Sequence, residues 1–370
     1  MKPFSLRTVL LGLFFAFLVS GVFHSLYLFG IEDFFGIHYS DILVFYNITA
    51  APGLYYLTAF LEYPILTGLF IEFMFFLGGS LLGYYVLTAV SLFVVALLST
   101  LLLYRMISPQ RREYLLFYWA LAPSLIVMAV YNWDVLILLP VILAFYFAQR
   151  KQPLFAAASL AIAFSLKFYP ILYFVILFLT ERSNAVRLKI AGVFSFVLVL
   201  LNGAFALKNF SGWFYFFAFN SERTHNPDTI WSVYTVLFGS LIPSSILNPL
   251  TAFLFGTAFV LILYRFRTAS FVQLSFLATL LFLLLNKVFS PQYLFWLLPF
   301  YVLVYAPPKK LFYVFEIANI IVLLTVIVWG FGGAVNDDLA FLVLGFVLVR
   351  HLALFFIFLN VCFGIRLTLK

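Results

Sequence analysis

The side chains of this chain that are equipped for chemistry lie in a few short polar stretches between long apolar runs. Asp41 sits in His38-Tyr39-Ser40-Asp41-Ile42-Leu43-Val44-Phe45-Tyr46, soon after the first apolar run. A carboxylate so placed can take a proton from an attacking hydroxyl, which is general-base work. Its plainer roles are a solvated loop acid or a helix N-cap. Glu62, in Glu62-Tyr63-Pro64, can bind a ligand hydroxyl or simply face water. Asp134, in Asn132-Trp133-Asp134, suits the start of a helix as well as a ligand contact. Lys167 precedes Phe168-Tyr169-Pro170, and Lys287 lies in Asn286-Lys287-Val288-Phe289-Ser290-Pro291-Gln292-Tyr293. Arg223 and His225 share Ser221-Glu222-Arg223-Thr224-His225-Asn226-Pro227-Asp228. A cation beside a long apolar run needs an anionic partner. A lipid phosphate is the obvious one, and snorkelling towards the headgroups is the alternative. Each cation alone suits a structural role; their joint placement beside polar loops points to an anion site.

The elements that must hold these residues are apolar enough to set the class. Of 370 residues, 66% are hydrophobic and 9% charged, against roughly 45–50% and 25% in soluble domains. A soluble protein of this composition would expose more apolar surface than water tolerates. An aromatic content of 21%, with 51 Phe, suits a wide lipid-facing perimeter with interfacial Tyr and Trp. A span needs about 20 mostly apolar residues. Hydropathy predicts twelve, near 8–30, 81–104, 114–131, 134–149, 153–167, 169–181, 188–207, 246–264, 269–286, 293–306, 311–331 and 339–360. The fifth and sixth meet at Lys167-Phe168-Tyr169-Pro170, where proline predicts a break. Pro64 to Leu77 is too short to span and reads as a re-entrant or interfacial helix. The run from Thr8 to Phe29 is too long for a signal-peptide core, lacks a small-residue cleavage site, and reads as an uncleaved first span. The expected fold is therefore all-α: a polytopic transmembrane helical protein with short interfacial helices in its first outer loop. Residues 1–370 are expected to form a single membrane-embedded domain with no separate soluble domain.

Charge placement orients this layout. With the N-terminus in the cytoplasm, alternation puts Lys2, Arg7, Arg105, Arg111, Arg112, Arg150, Lys151, Arg182, Arg187, Lys189, Arg265, Arg267, Lys309, Lys310, Arg366 and Lys370 on the cytoplasmic side. That is the bias of the positive-inside rule. Lys167, Lys208, Arg223 and Lys287 fall outside, and Arg350 falls within the last span. Most acids, including Asp41, Glu62, Asp134 and Asp228, also fall outside. The expected placement is a multi-pass cell-membrane protein with both termini cytoplasmic and its chemistry on the outer face.

Several function classes lack their signatures. There is no Walker loop, no GxGxxG and no HExxH. The lone Cys362 excludes a disulfide within the chain and any cysteine metal cluster. The four histidines lack metal-ligand spacing; His24 and His351 lie within spans and read as packed, hydrogen-bonded residues. No cofactor is expected, and a divalent metal, conceivable only through carboxylates, has no support. The net charge of +8 is read through its sidedness, so no nucleic-acid partner is expected.

The order of these motifs resembles the C-type glycosyltransferases, multi-span enzymes that use sugars carried on polyprenyl phosphate. The similarity is strongest to glycosyltransferase family 87 and to the catalytic subunit of GPI mannosyltransferase I. Four stretches carry it: Tyr39-Ser40-Asp41; Ala122-Pro123-Ser124 with Tyr131-Asn132-Trp133-Asp134; Leu166-Lys167-Phe168-Tyr169-Pro170-Ile171-Leu172-Tyr173; and Asn286 through Tyr293 continued by Leu294-Phe295-Trp296. The resemblance runs from about residue 39 to 300. Where the GPI enzyme carries a second acid two residues after the first, this chain has Leu43, which suits a metal-independent enzyme with Asp41 acting alone. The resemblance implies an inverting transfer of a hexose, with mannose expected, from a polyprenyl phosphate sugar donor to a glycolipid or glycan acceptor among the membrane lipids. Asp41 would be the base. Lys287, Lys167 and Arg223 would hold the donor phosphate. Glu62, Asp134, Trp133, His225, Gln292 and Tyr293 would bind sugar or acceptor, with Trp133, Tyr293 or Trp296 stacking on sugar or polyprenyl chain. Arabinose or glucose are other sugars open to such a site. The rival reading is a lipid or solute transporter or flippase without catalysis, which predicts polar residues along a mid-membrane path; the charges in apolar segments are Glu72, Glu316 and Arg350. A third is an accessory subunit, which predicts that acid and lysine are dispensable.

Overall fold

The computed structural model describes residues 4–29, 38–50, 53–331 and 337–368. It is all-helical, with 79% helix and, among the described residues, no strand. Helix α1 (Leu6–Ser25) begins where the Ser5 hydroxyl accepts the Thr8 amide. Helices α2 (Asp41–Thr49) and α3 (Ile65–Gly78) follow, and α3 stops at Gly79, whose φ of 61° suits glycine. Next come α4 (Leu81–Met106) and α5 (Arg112–Leu115), which opens into a π-helical turn at Leu116–Ala120. Pro123 restarts the chain as α6 (Pro123–Met128). A 3₁₀ turn at Asp134–Ile137 leads into α7 (Leu138–Gln149). Then follow α8 (Pro153–Leu166), α9 (Ile171–Thr180), α10 (Asn184–Lys208), α11 (Phe210–Glu222), α12 (Ser232–Phe238) and α13 (Ser244–Arg265). A capping box between Ser270 and Gln273 opens α14 (Phe271–Leu285). A 3₁₀ turn at Pro291–Trp296, α15 (Leu298–Leu303), α16 (Lys309–Phe331) and α17 (Asp337–Thr368) complete the order.

Among the described residues, six helices are long and apolar enough to cross a membrane: Leu6–Leu28, Leu81–Met106, Asn184–Lys208, Ser244–Arg265, Lys309–Ile327 and Ala340–Ile365. Each coincides with an expected span, and they make the chain a membrane protein. The other expected spans are built from shorter pieces. The segment 114–131 is divided by the π turn and by Pro123. Residues 134–149 and 293–306 begin in 3₁₀ turns, and 153–167, 169–181 and 269–286 hold helices of 14, 10 and 15 residues. The break expected near Pro170 lies between α8 and α9. The short helix expected over 64–77 is α3, one residue displaced.

The chain forms two compact units. Unit 1 is drawn from Met1–Tyr39, Ile107–Tyr131 and Arg223–Lys370, and unit 2 from Ser40–Met106 and Asn132–Glu222. In unit 1, α16 packs along α17 around Val322, Val343 and Val347. Around α6 the broken backbone is repaired by polar side chains. Ser20 donates to the Val127 carbonyl at 3.1 Å and accepts the Val130 amide at 2.9 Å. His24 Nε2 lies 2.9 Å from the Val127 oxygen, and Glu316 accepts the Ser124 amide at 2.6 Å. Irregular backbone in an apolar segment is tolerated where the protein re-satisfies its polar groups in this way. His24 and His351 are buried and hydrogen-bonded, as expected.

In unit 2, α8 buries a face of small residues, Ala156, Ala157, Ser159, Ala161 and Ala163, which lets α7 and α10 approach its backbone closely. Thr67 on α3 donates to the Leu166 carbonyl at 2.7 Å. Asn202 on α10 donates to Ser165 at 3.1 Å. These bonds fix the end of α8, and so fix Lys167.

Candidate functional site

Unit 2 gathers Asp41, Trp133, Asp134 and Lys167 around a residue that sequence reasoning passed over, Tyr63. Lys167 is the C-cap of α8, its amide bonded to the Ala163 carbonyl at 2.9 Å. A helix C-terminus favours a cation. Its ammonium lies 2.5 Å from Asp134, with side chains 14% and 1% exposed. Asp134 is fixed in turn, because its amide donates to Asn132 Oδ1 at 2.9 Å. The anion that Lys167 requires is thus supplied from within the protein, a pairing the spacing of 33 residues gives no hint of.

Asp41 opens α2, half-buried, where the N-terminal dipole favours a carboxylate. The cap position belongs to Ser40, so the helix-cap role open to Asp41 in sequence does not apply. The Tyr63 hydroxyl donates to Asp41 Oδ2 at 3.4 Å. The Lys167 ammonium sits 5.1 Å from the centre of the Tyr63 ring, within cation–π range. Phe45, one turn along α2 from Asp41, packs at 5.3 Å on Trp133, and Tyr63 packs on Trp133 at 5.4 Å, both nearly perpendicular. Trp133 is 2% exposed, so it presents no open face for stacking. What it holds in reserve is its indole Nε1–H, which, like Asn132 Nδ2, is buried without an acceptor. Glu62, half-buried, adjoins Tyr63 in sequence.

Unit 1 gathers Arg223, His225 and Lys287. The Lys287 ammonium donates to the Arg223 carbonyl and to Asn248 Oδ1, both at 2.6 Å. The Asn226 amide returns a bond to the Lys287 carbonyl at 2.9 Å. Arg223 donates to Asn226 Oδ1 at 2.5 Å. Burial, and then the neighbouring Arg223 charge, lower the pKa of Lys287 below the usual lysine value. His225 is buried and its pKa is also lowered by burial; its Nε2 lies 2.9 Å from the Thr235 hydroxyl. Asp228 is buried, and its carboxyl pKa is pushed up to about 6 by burial, against the opposing pull of Arg350.

Gln292 is buried with Oε1 unpartnered, and Tyr293 stacks on Trp296 at 3.9 Å. Beside His225 lies a cavity of about 250 Å³, lined by polar residues such as Thr224, His225, Ser232 and Thr235 and by apolar ones such as Val236, Leu241, Val343 and Leu344. The members that sequence reasoning missed are Tyr63, Asn226, Thr235 and Asn248. Asn248 carries a usable signal, an amide within an apolar helix. Among the described residues, no group of three His, Cys, Asp or Glu side chains could hold a metal ion. In comparison with known proteins, no family model matches the chain and no curated protein matches it.

Proposed function

We propose that the chain is a multi-span C-type glycosyltransferase that moves a hexose, with mannose expected, from a polyprenyl phosphate carrier to a hydroxyl of a glycolipid or glycan on the non-cytoplasmic face. The twelve-span layout and cytoplasmic termini belong to this proposal. One observation carries it: a half-buried carboxylate, Asp41, at a helix N-terminus, held by a tyrosine hydroxyl beside the pair that Lys167 forms with the buried Asp134. Asp41 takes the proton of the acceptor hydroxyl. The acceptor oxygen forms the new bond to the anomeric carbon as the bond to the carrier phosphate breaks. This single displacement inverts the anomeric centre, and the phosphate departs with the electron pair.

The phosphate role is proposed for Lys287 and Arg223. Lys287 and Arg223 are close enough for the second to depress the pKa of the first, and an anion between like charges relieves that repulsion. The apolar cavity beside His225 suits a lipid-borne ligand. Lys167, already engaged by Asp134, is reassigned from phosphate binding to positioning Tyr63 and Asp134.

The three charges in apolar segments support this reading over transport. Glu316 accepts the Ser124 amide, Glu72 accepts the Tyr55 amide, and Arg350 donates to the Asp228 carbonyl. Each makes a hydrogen bond to a backbone group. The test is labelled polyprenyl phosphate mannose with a membrane lipid extract. The purified protein should form a heavier glycolipid, detected by mass spectrometry. Asp41→Asn should lose transfer by about 10²–10⁴-fold, the usual weight of a general base. Full activity in that variant would sink the assignment.

A further inference from the structure

Arg350 is the largest charged side chain wholly enclosed in unit 1, 0% exposed on α17. An arginine at membrane depth is expensive and calls for a reason. Its guanidinium donates through Nη1 to Asn319 Oδ1 at 2.8 Å and through Nη2 to the Asp228 carbonyl. Asn319 passes the link on, because its Nδ2 donates to the Pro291 carbonyl at 2.9 Å. The guanidinium carbon also lies 3.9 Å from the centre of the Phe289 ring.

One side chain therefore grips two loops. The first, residues 223–231, carries Arg223 and His225; the second, 286–296, carries Lys287. The loops are tied to each other by Asn226 to Lys287, Lys287 to Arg223, and Trp231 Nε1 to the Leu285 carbonyl at 3.1 Å. The outer holdfasts come from α16 and α17 through Asn319 and Arg350. The planar fork of arginine serves two acceptors in fixed directions, which a lysine ammonium does not reproduce.

We propose that Arg350, acting with Asn319, is a positioning residue. It sets the spacing of the Arg223 and Lys287 loops so that their cations meet the phosphate of a lipid, a diester in the sugar donor and a monoester in the departing carrier. This rests on the assignment of Lys287 and Arg223 to phosphate, and it adds what holds them there.

The experiment titrates the full chain, in nanodiscs, with farnesyl phosphate and separately with farnesol. Arg350→Lys should weaken farnesyl phosphate binding by about tenfold or more, the scale of one lost hydrogen bond to a charged group. Farnesol binding should not change. Amide exchange over 224–229 and 286–292 should quicken while α4 and α8 stay protected. Asn319→Leu, which cuts only the arm to Pro291, is the milder variant should Arg350→Lys fail to fold. It should quicken exchange over 286–292 and weaken the phosphate ligand by a smaller factor. Unchanged phosphate affinity, or equal losses for farnesyl phosphate and farnesol, overturns the proposal. Lys287→Ala separates the two layers. If it binds farnesyl phosphate normally, the phosphate assignment falls and this proposal with it. If it weakens binding while Arg350→Lys and Asn319→Leu do not, the brace alone falls.

Discussion

The Lys167 ammonium rests 2.5 Å from the Asp134 carboxylate, and the Asp134 side chain is 1% exposed. The pair joins the end of α8 to the turn before α7, and its lysine overhangs the ring that holds Asp41. Breaking a buried pair from one side leaves an uncompensated charge at a cost of about 3–5 kcal/mol. Replacing both partners with apolar residues of similar volume is close to neutral in many proteins. Lys167→Ala should therefore lower stability strongly, whereas Lys167→Met with Asp134→Leu should recover most of the loss. A double-mutant cycle by thermal unfolding in detergent reads this coupling. Simple additivity of the single costs would contradict it.

Tyr63→Phe removes one hydroxyl and nothing else. Hydrogen bonds to charged groups contribute about 1.5–3 kcal/mol, and at 3.4 Å this one belongs at the low end. On the proposed role of Asp41 as base, the expected result is a fall in kcat of about tenfold with KM for the acceptor little changed. A rise in KM with kcat intact would place Tyr63 in ground-state binding instead.

Asp228 gives the fold an inverted acid response. Burial raises its folded-state pKa to about 6, above the usual aspartate value of 3.8. Between these values the folded state holds more protons than the unfolded one, so stability falls as pH rises through that window and levels off above about 6. The groups facing it are Arg350, Arg223 and Asn226. Asp228→Asn should flatten this slope and unfold at a higher temperature than the parent above pH 6. Melting curves taken from pH 4 to 7.5 decide the point; an unchanged slope would place the titration elsewhere.

Glu316 is spent on the Ser124 amide at the start of α6. Glu316→Gln keeps an acceptor and should be tolerated. Glu316→Leu orphans a buried amide and should cost about 1–3 kcal/mol. Similar melting temperatures for the two variants would show that the bond is dispensable.

Hydropathy finds the six long helices because a continuous apolar run of that length has one main outcome. It does not see that the backbone opens at Leu116–Ala120 and restarts at Pro123, because it sums side chains and ignores how amides are paired. The repair by Ser20, His24 and Glu316 reaches across roughly 100 to 190 positions and leaves no local pattern. Asp41, Asp134 and Lys167 are visible as charges at the edges of apolar runs. Tyr63 is hidden among 22 tyrosines, and only the fold places its hydroxyl on Asp41. Arg350 is conspicuous as a charge within a span, yet its acceptors at 228 and 319 are not, since one is a backbone oxygen and the other an amide oxygen, which composition does not mark.

The tight turn between α3 and α4 has a consequence for biosynthesis. Helix α3 has 14 residues, about 21 Å at 1.5 Å per residue, well short of the roughly 30 Å hydrocarbon layer. Only Gly79 and Ser80 separate it from α4, and a side chain on Gly78 or Gly83 would collide with the opposing backbone. A helix this short gains little from entering lipid alone. Insertion as one arm of a hairpin with the longer α4 would let that helix carry it into the membrane. Tyr63 lies two residues before α3, so its contact with Asp41 would form only once that hairpin has been inserted.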